Sequence, residues 1–375
     1  MHQAWAEINL NNITYNLNEL KQFLDDKTGI MAMIKANAYG HGAVEIAKVL
    51  QNNGVKSFGV ATCDEGILLR NNGISLPIMI IANSLRERFG DIVDHGLTQT
   101  VSDINTAVEI SQTAQKKNKQ TTIEIMIDTG MGRLGFEPNL ESVNTIIEIS
   151  KLPFITISGV YSHLAMAESL DTNFSKEQFA KFLLVANALK EKGFTDFTSH
   201  ICGSGGILNN IEMHLDMVRP GIIIYGIYPS PETARHIDLK PSMSLKAKIS
   251  HIAHIKKGDS IGYERAFVAP RDTVAAILNI GYADGYPSAL TNKGKVIVGG
   301  EFAPVVGQIC MDQTIIDITD IKNVAVEDTV ILFGKQGDRQ ITAEEVAELS
   351  ESKSREILAM SNIGPRIPRV YIGSH

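Results

Sequence analysis

The feature that most constrains this chain is a rhythm. From about residue 8 to 230, short apolar runs alternate with longer amphipathic stretches. The runs are Ile30–Ile34, Phe58–Ala61, Ile78–Ala82, Gln99–Val101, Ile123–Ile127, Ile155–Val160, Ser199–Cys202 and Met217–Arg219. Between them lie segments with apolar residues at helical spacing, among them Ala43–Asn52, Ile104–Lys117 and Lys176–Lys192. A strand covered on both faces reads as a continuous apolar run, and strands separated by helices dictate parallel pairing through right-handed crossovers. Eight such units in roughly 220 residues fit a (β/α)8 barrel. A doubly wound open sheet has the same local rhythm, because closure is not written in the sequence.

After about residue 236 the texture changes. Leu245–Ile255, Val274–Ile280, Lys295–Val298, Thr314–Ile318 and Thr329–Phe333 read as strands separated by Gly- and Asp-containing turns, and only Ala343–Leu349 reads as a clear helix. The expectation is therefore an α/β chain: a barrel over residues 1–235, then a mostly β C-terminal domain over 236–375. With 375 residues, 44% of them hydrophobic, the chain is long enough for two such cores. No low-complexity linker or internal repeat separates them.

Net charge of −7 argues against a general nucleic-acid binder, which needs a basic stripe. Lys116, Lys117 and Lys119 form the one basic run, at the end of a polar helix, and read as a solvated face. The opening MHQAWAEINL has no basic segment leading into an apolar one, so no signal peptide is expected. No apolar window is long enough for a transmembrane helix. Cys63, Cys202 and Cys310 lie far apart with no CxxC pair, which suits a reducing compartment and gives no metal site. The expectation is a cytoplasmic protein.

Lys35 closes the first apolar run and precedes Ala36-Asn37-Ala38-Tyr39-Gly40-His41-Gly42. That puts it at the carboxyl end of a strand, where barrel enzymes place their chemistry. Partial desolvation there favours the neutral, nucleophilic amine that Schiff-base formation requires. Taken alone, a strand-end lysine is an ordinary surface residue. Gly203-Ser204-Gly205-Gly206 follows the seventh run, however, and Gly221-Ile222 follows the eighth. Loops after strands 7 and 8 of barrels often bind phosphate, and glycines let backbone N–H groups approach it. A lysine and a phosphate cup on one rim describe a site for a phosphorylated aldehyde. Arg219, ending the eighth run, reads from spacing alone as either part of that site or a structural ion pair.

At this point the chain resembles the alanine racemase family, pyridoxal 5'-phosphate enzymes of fold type III. The resemblance rests on IKANAYGHG (Ile34–Gly42), DTGMGRLG (Asp128–Gly135), RPGIIIYG (Arg219–Gly226), GYADGY (Gly281–Tyr286) and GQICMDQ (Gly307–Gln313), in order to about residue 373. The last two lie in the C-terminal domain and are not expected in other enzymes with a lysine on the first barrel strand. The resemblance implies a homodimer in which each site joins one subunit's barrel to its partner's C-terminal domain. It implies interconversion of L- and D-alanine by two bases, supplying D-alanine for peptidoglycan.

In that scheme Lys35 binds the cofactor and acts as base on one face of the substrate. Tyr263, in Ile261-Gly262-Tyr263-Glu264, matches the base for the other face; without the resemblance it reads as a packed strand tyrosine. Tyr39, Ser204, Gly221 and Ile222 would bind phosphate, and Arg219 would face the pyridine nitrogen. His163 and His200 would support Arg219 and Tyr263. Arg133 would approach the ring hydroxyl and the substrate, and Met311 with Asp312 would receive the substrate carboxylate.

Three departures stand out. Many relatives have a lysine, often carboxylated, seven residues before the arginine matching Arg133; here it is Met126, so Arg133 must be oriented otherwise. The usual Asn-Ser pair after strand 7 reads Gly203-Ser204. A pocket tyrosine that normally precedes the Glu matching Glu356 is Arg355 here, and the stretch to Pro365 is about two residues longer than usual. Gly203 and Arg355 motivate a second reading, racemisation of serine or a broader set of small amino acids. A third, a non-catalytic pyridoxal-phosphate carrier, conflicts with the C-terminal motifs.

Overall fold

The computed structural model describes residues 2–350 and 362–374. They form two units. One comprises Asn12–Ala38 and Ala43–Lys240; the other comprises residues 2–11, Tyr39–Gly42 and the described residues from Pro241 to Ser374.

The first unit holds the parallel strands Gly29–Met33, Ser57–Val60, Ile78–Ile80, Thr98–Val101, Thr121–Met126, Ile155–Tyr161, Thr198–His200 and Met217–Val218. The first seven pair in chain order, and the first also pairs with the eighth through Gly29–Met217 and Ile30–Val218. Between the seventh and eighth, Asp216 donates from its amide to the Ser199 carbonyl (3.2 Å), Arg219 donates likewise to Cys202 (2.9 Å), and Gly203 bridges Arg219. These bonds close the sheet into a barrel, so the open doubly wound alternative is excluded. The continuous apolar runs follow from this closure: Ser57–Val60 and Ile78–Ile80 are buried at every position.

The barrel helices form where caps and stripes coincide. Ile104–Lys117 begins at Asp103, whose side chain accepts from the Thr106 amide, and stops at Asn118 in the left-handed conformation. It buries Ala107, Ile110, Ser111 and Ala114, an i, i+3, i+4, i+7 stripe. The cap contributes about 1 kcal/mol. No helix among the described residues is long and apolar enough to cross a membrane.

The second unit is organised around the strand Met243–Ile255, whose first half alternates buried and half-buried residues. It pairs antiparallel with Ala4–Asn9, Thr329–Gln336 and Thr273–Leu278. Residues 243–248 serve the first two and 249–255 the third, and the third pairing shifts register between Ile249 and His251. Lys295–Val298, Glu301–Pro304, Thr314–Asp317 and Arg369–Ile372 extend this sheet, and Ala343–Leu349 is helical. The strand Ala4–Asn9, which precedes the barrel in the chain, thus takes its partners from residues more than two hundred positions away.

Candidate active site

Lys35 follows the first barrel strand directly, and the chain then does something unusual. Ala36, Asn37, Ala38 and Tyr39 all adopt the left-handed conformation, with φ of 51°, 55°, 54° and 52°. This disfavours L-residues by about 1–2 kcal/mol each, so other bonds must hold the turn. Glu65 Oε1 accepts from the Ala36 amide (2.6 Å), Asn37 Oδ1 accepts from the Ala43 amide (2.9 Å), and the Ala38 amide donates to Ile34 (2.8 Å). Glu65 also accepts from Ala61 (2.7 Å) and closes a capping box with Thr62 at the start of the helix Cys63–Asn71. The turn after Lys35 is therefore clamped to the helix that follows the second barrel strand. Burial, reinforced by the charge of Arg133 and opposed by Glu65, holds the Lys35 amine below its ordinary pKa.

Tyr39–Gly42 belongs to the second unit, where the Gly40 carbonyl accepts from Arg369 Nε (2.9 Å) and the His41 carbonyl from the Tyr371 hydroxyl (3.2 Å). Tyr39 itself is buried, which pushes its phenol up to about 12.

Arg219, 5% exposed, sits just past the eighth strand. Its guanidinium donates to His200 Nδ1 (2.6 Å), the Ser162 carbonyl (2.7 Å), the Ile201 carbonyl (3.1 Å) and His163 Nδ1 (3.2 Å). An arginine only donates, so both imidazoles accept through Nδ1 and are neutral with the proton on Nε2. Burial, with the nearby charges of Arg219, Arg133 and Lys35, pushes His163 down to about 3, and burial also depresses His200. The Nε–H of Arg219 has no protein acceptor among the described residues.

Ser204 Oγ accepts from the Gly221 amide (2.9 Å), joining the loops after strands 7 and 8, and Ile222 begins the short turn Ile222–Tyr225. Gly203 caps the helix Ser204–Asn209; a Cβ there would stand 3.2 Å from His163 Cε1. A larger residue in place of Gly203 would press on the imidazole that receives Arg219.

Arg133 is exposed, and its backbone is set by Asp128. That carboxylate accepts amides from Gly130 (3.0 Å), Gly132 (3.0 Å) and Arg133 (2.9 Å). Burial works against its charge, but these bonds outweigh it and keep Asp128 below the usual carboxylate range. Met126 is buried at the end of its strand and, as a thioether, offers the Arg133 guanidinium no charged partner. Arg355 and Glu356 lie outside the described residues.

In the second unit, Tyr263, Met311 and Asp312 meet in one cavity of about 500 Å³, together with Cys310, Gln313, Asn279, Gln3 and Arg366. Arg366 ties Asp312 (2.6 Å) to the buried Asp284 (2.9 Å). Tyr263 is 68% exposed and Met311 53%.

Four residues bonded to these groups carry no role in the sequence analysis: Glu65, Glu124, whose Oε2 lies 2.7 Å from His200 Nε2, Asp128 in its supporting role, and Arg366. Glu65 had a legible signal, the Thr62-x-x-Glu65 capping pattern. Glu124 had one as well, a carboxylate inside an apolar run, which folding tolerates only with a partner.

The chain matches the family model for the alanine racemase N-terminal domain over residues 8–229 and the model for the C-terminal domain over 242–371. It is 43% identical to the alanine racemase of Clostridium tetani, over 99% of this chain and 96% of that one. The structure of alanine racemase from Clostridium difficile 630 superposes with a TM-score of 0.94 at 39% identity, covering 99% of this chain and 96% of that one. An alanine racemase structure from Bartonella henselae, described as carrying covalently bound pyridoxal phosphate, gives a TM-score of 0.85 at 30% identity over 99% of this chain and 100% of that one. A closed barrel carrying Lys35 and Arg219, a following β domain, and these full-length matches together establish that the chain belongs to the alanine racemase family.

Proposed function

We propose that the protein interconverts L- and D-alanine with pyridoxal 5'-phosphate as cofactor, in sites shared between the subunits of a homodimer. The carrying observation is a desolvated Lys35 amine on the same barrel rim as a buried Arg219 whose Nε–H is unengaged. Those groups suit the cofactor chemically. A neutral amine is what an aldehyde takes, a guanidinium N–H is what an unprotonated pyridine nitrogen takes, and Ser204 with the backbone of Gly221 and Ile222 suits a phosphate. When bound, the cofactor would withdraw electrons from the substrate and acidify its α-C–H bond.

The rest falls to the chain's own residues. Lys35 would exchange the α-proton on one face through Nζ, and Tyr263 of the partner subunit would exchange it on the other through its phenol oxygen. Two bases on opposite faces are what inversion requires. Arg219 keeps its own protons and would leave the ring nitrogen without one, which would moderate electron withdrawal and disfavour side reactions. Arg133 would orient the ring hydroxyl and the substrate, and the Met311 amide, with Asp312 behind it, would receive the substrate carboxylate. The exposure of Tyr263 and Met311 suits residues that another subunit covers. Three unpaired thiols suit a cytoplasmic enzyme.

The serine or broader-specificity reading gains nothing from relatives named for alanine, and the carrier reading fails because the C-terminal domain is present. Chiral chromatography after incubation with L-alanine and with L-serine tests the assignment. Faster conversion of serine would overturn it. Borohydride treatment of the loaded enzyme, followed by peptide mapping, should find a phosphopyridoxyl group on Lys35.

A further inference from the structure

We propose that Glu124 is a positioning residue of this site, acting through His200 to hold the Arg219 guanidinium in place; the inference rests on the racemase reading above. Glu124 lies within the strand Thr121–Met126 and is 5% exposed. A carboxylate in that setting is unfavourable unless it is bonded. Its close partner is His200 Nε2, at 2.7 Å from Oε2, while the Ser158 hydroxyl donates to Oε1 at a longer 3.5 Å. Because Arg219 can only donate to His200 Nδ1, the imidazole proton is fixed on Nε2 and points at the carboxylate. The three groups form a directional relay, carboxylate to imidazole to guanidinium.

The surroundings are shaped for it. Pairing between the fifth and sixth barrel strands shifts register after Ile123–Ile157, leaving Ser158 as an extra residue and setting Glu124 opposite Gly159. A Cβ on Gly159 would lie 2.8 Å from the Glu124 carboxylate. The His200 ring stacks on Tyr161 at 5.0 Å and 8°, and Tyr161 is tied through its hydroxyl to Thr100 (2.8 Å), which donates to Ile80 (2.7 Å). The imidazole is thus held at both nitrogens and across one face.

Charge explains why a carboxylate belongs here. The four acceptors of the buried Arg219 are two carbonyls and two neutral imidazoles. Among the described residues, Glu124 is the carboxylate joined to that guanidinium by a continuous hydrogen-bond path. A carboxylate behind an imidazole makes the far nitrogen a stronger acceptor, as it does where the far nitrogen binds a metal. His163, which receives the same guanidinium at 3.2 Å rather than 2.6 Å, has no such carboxylate bond among the described residues. Glu124 thereby biases Arg219 toward one fixed orientation, with its Nε–H available to the ring nitrogen.

The test compares E124Q, which keeps size and an acceptor but drops the charge, with E124L, which drops both. Nitrogen NMR on the cofactor-free protein should show His200 neutral and protonated on Nε2 in wild type and E124Q, and a displaced Nδ1 resonance in E124L. In the loaded enzyme, kcat for alanine should fall about 10–100-fold in E124L with KM nearly unchanged, and E124Q should recover part of the loss. Wild-type kcat and unchanged His200 resonances in a folded E124L would overturn the proposal. If E124L does not fold, E124Q decides: a lowered kcat with the tautomer retained supports the relay, and wild-type kcat rejects it. Because the NMR arm needs no cofactor, a wild-type protein without racemase activity would refute the functional reading and leave the relay separately measurable.

Discussion

The barrel rim and the cavity around Tyr263 solve opposite problems. On the rim the charged groups are buried and locked by internal bonds: Arg219 and His200 are 5% and 0% exposed, and the Lys35 turn is clamped by Glu65. In the cavity the corresponding groups stand open, with Tyr263 at 68% and Met311 at 53% exposure. A buried guanidinium needs most of its bonds supplied by its own chain, since an unpaired buried charge is costly, and Arg219 has both terminal nitrogens engaged. A group that is covered later, by another subunit, can be left in water until then. On the shared-site proposal, the difference would separate a half preorganised within one chain from a half completed by the partner subunit.

That contrast can be broken by mutation, beginning with the largest effect. Lys35→Ala should lower kcat by roughly 10⁴-fold or more and abolish reductive labelling, because base and attachment point disappear together. Tyr263→Phe should lower kcat by about 10²–10⁴-fold while leaving thermal stability and reductive labelling intact, as befits an exposed group. A drop in melting temperature from this variant would place Tyr263 in the core and undo the comparison. Asp128→Ala removes the acceptor of three loop amides. It should raise KM for alanine about tenfold through Arg133 and lower stability by about 1–3 kcal/mol. A smaller effect concerns pH. His163 titrates near 3 when folded against 6.5 ordinarily, so between those values the unfolded chain binds a proton that the folded one refuses. Stability should therefore fall as pH drops from about 6.5 toward 3. Denaturation of His163→Gln over that range should show a flatter profile.

The barrel was legible because burial on both faces leaves an uninterrupted apolar run and caps leave polar marks at helix ends. Its closure was not, since the bonds between Ser199–Gly203 and Asp216–Arg219 are ordinary backbone bonds that any sequence can make. The long-range pairing of Ala4–Asn9 was hidden for the same reason. At the site, Lys35, Ser204 and Arg219 stood out by position after predicted strands, whereas Tyr263 and Met311 stood out only through family resemblance. Glu124 is marked by its charge inside an apolar run, which signals a buried partner without naming it. Its meaning depends on the bulge at Ser158 and the space at Gly159, which are features of packing. Met126 posed a question about Arg133 that the Asp128 loop answers for the backbone.

Shared sites are the central claim, and mixing two inactive variants tests it most directly. Lys35→Ala and Tyr263→Phe chains, refolded or expressed together, should form mixed dimers in which one site has both bases and the other has neither. Racemase activity should then return to roughly a quarter of the wild-type level for random pairing. Mixed dimers that form but stay as inactive as their parents would show that Lys35 and Tyr263 work within one chain.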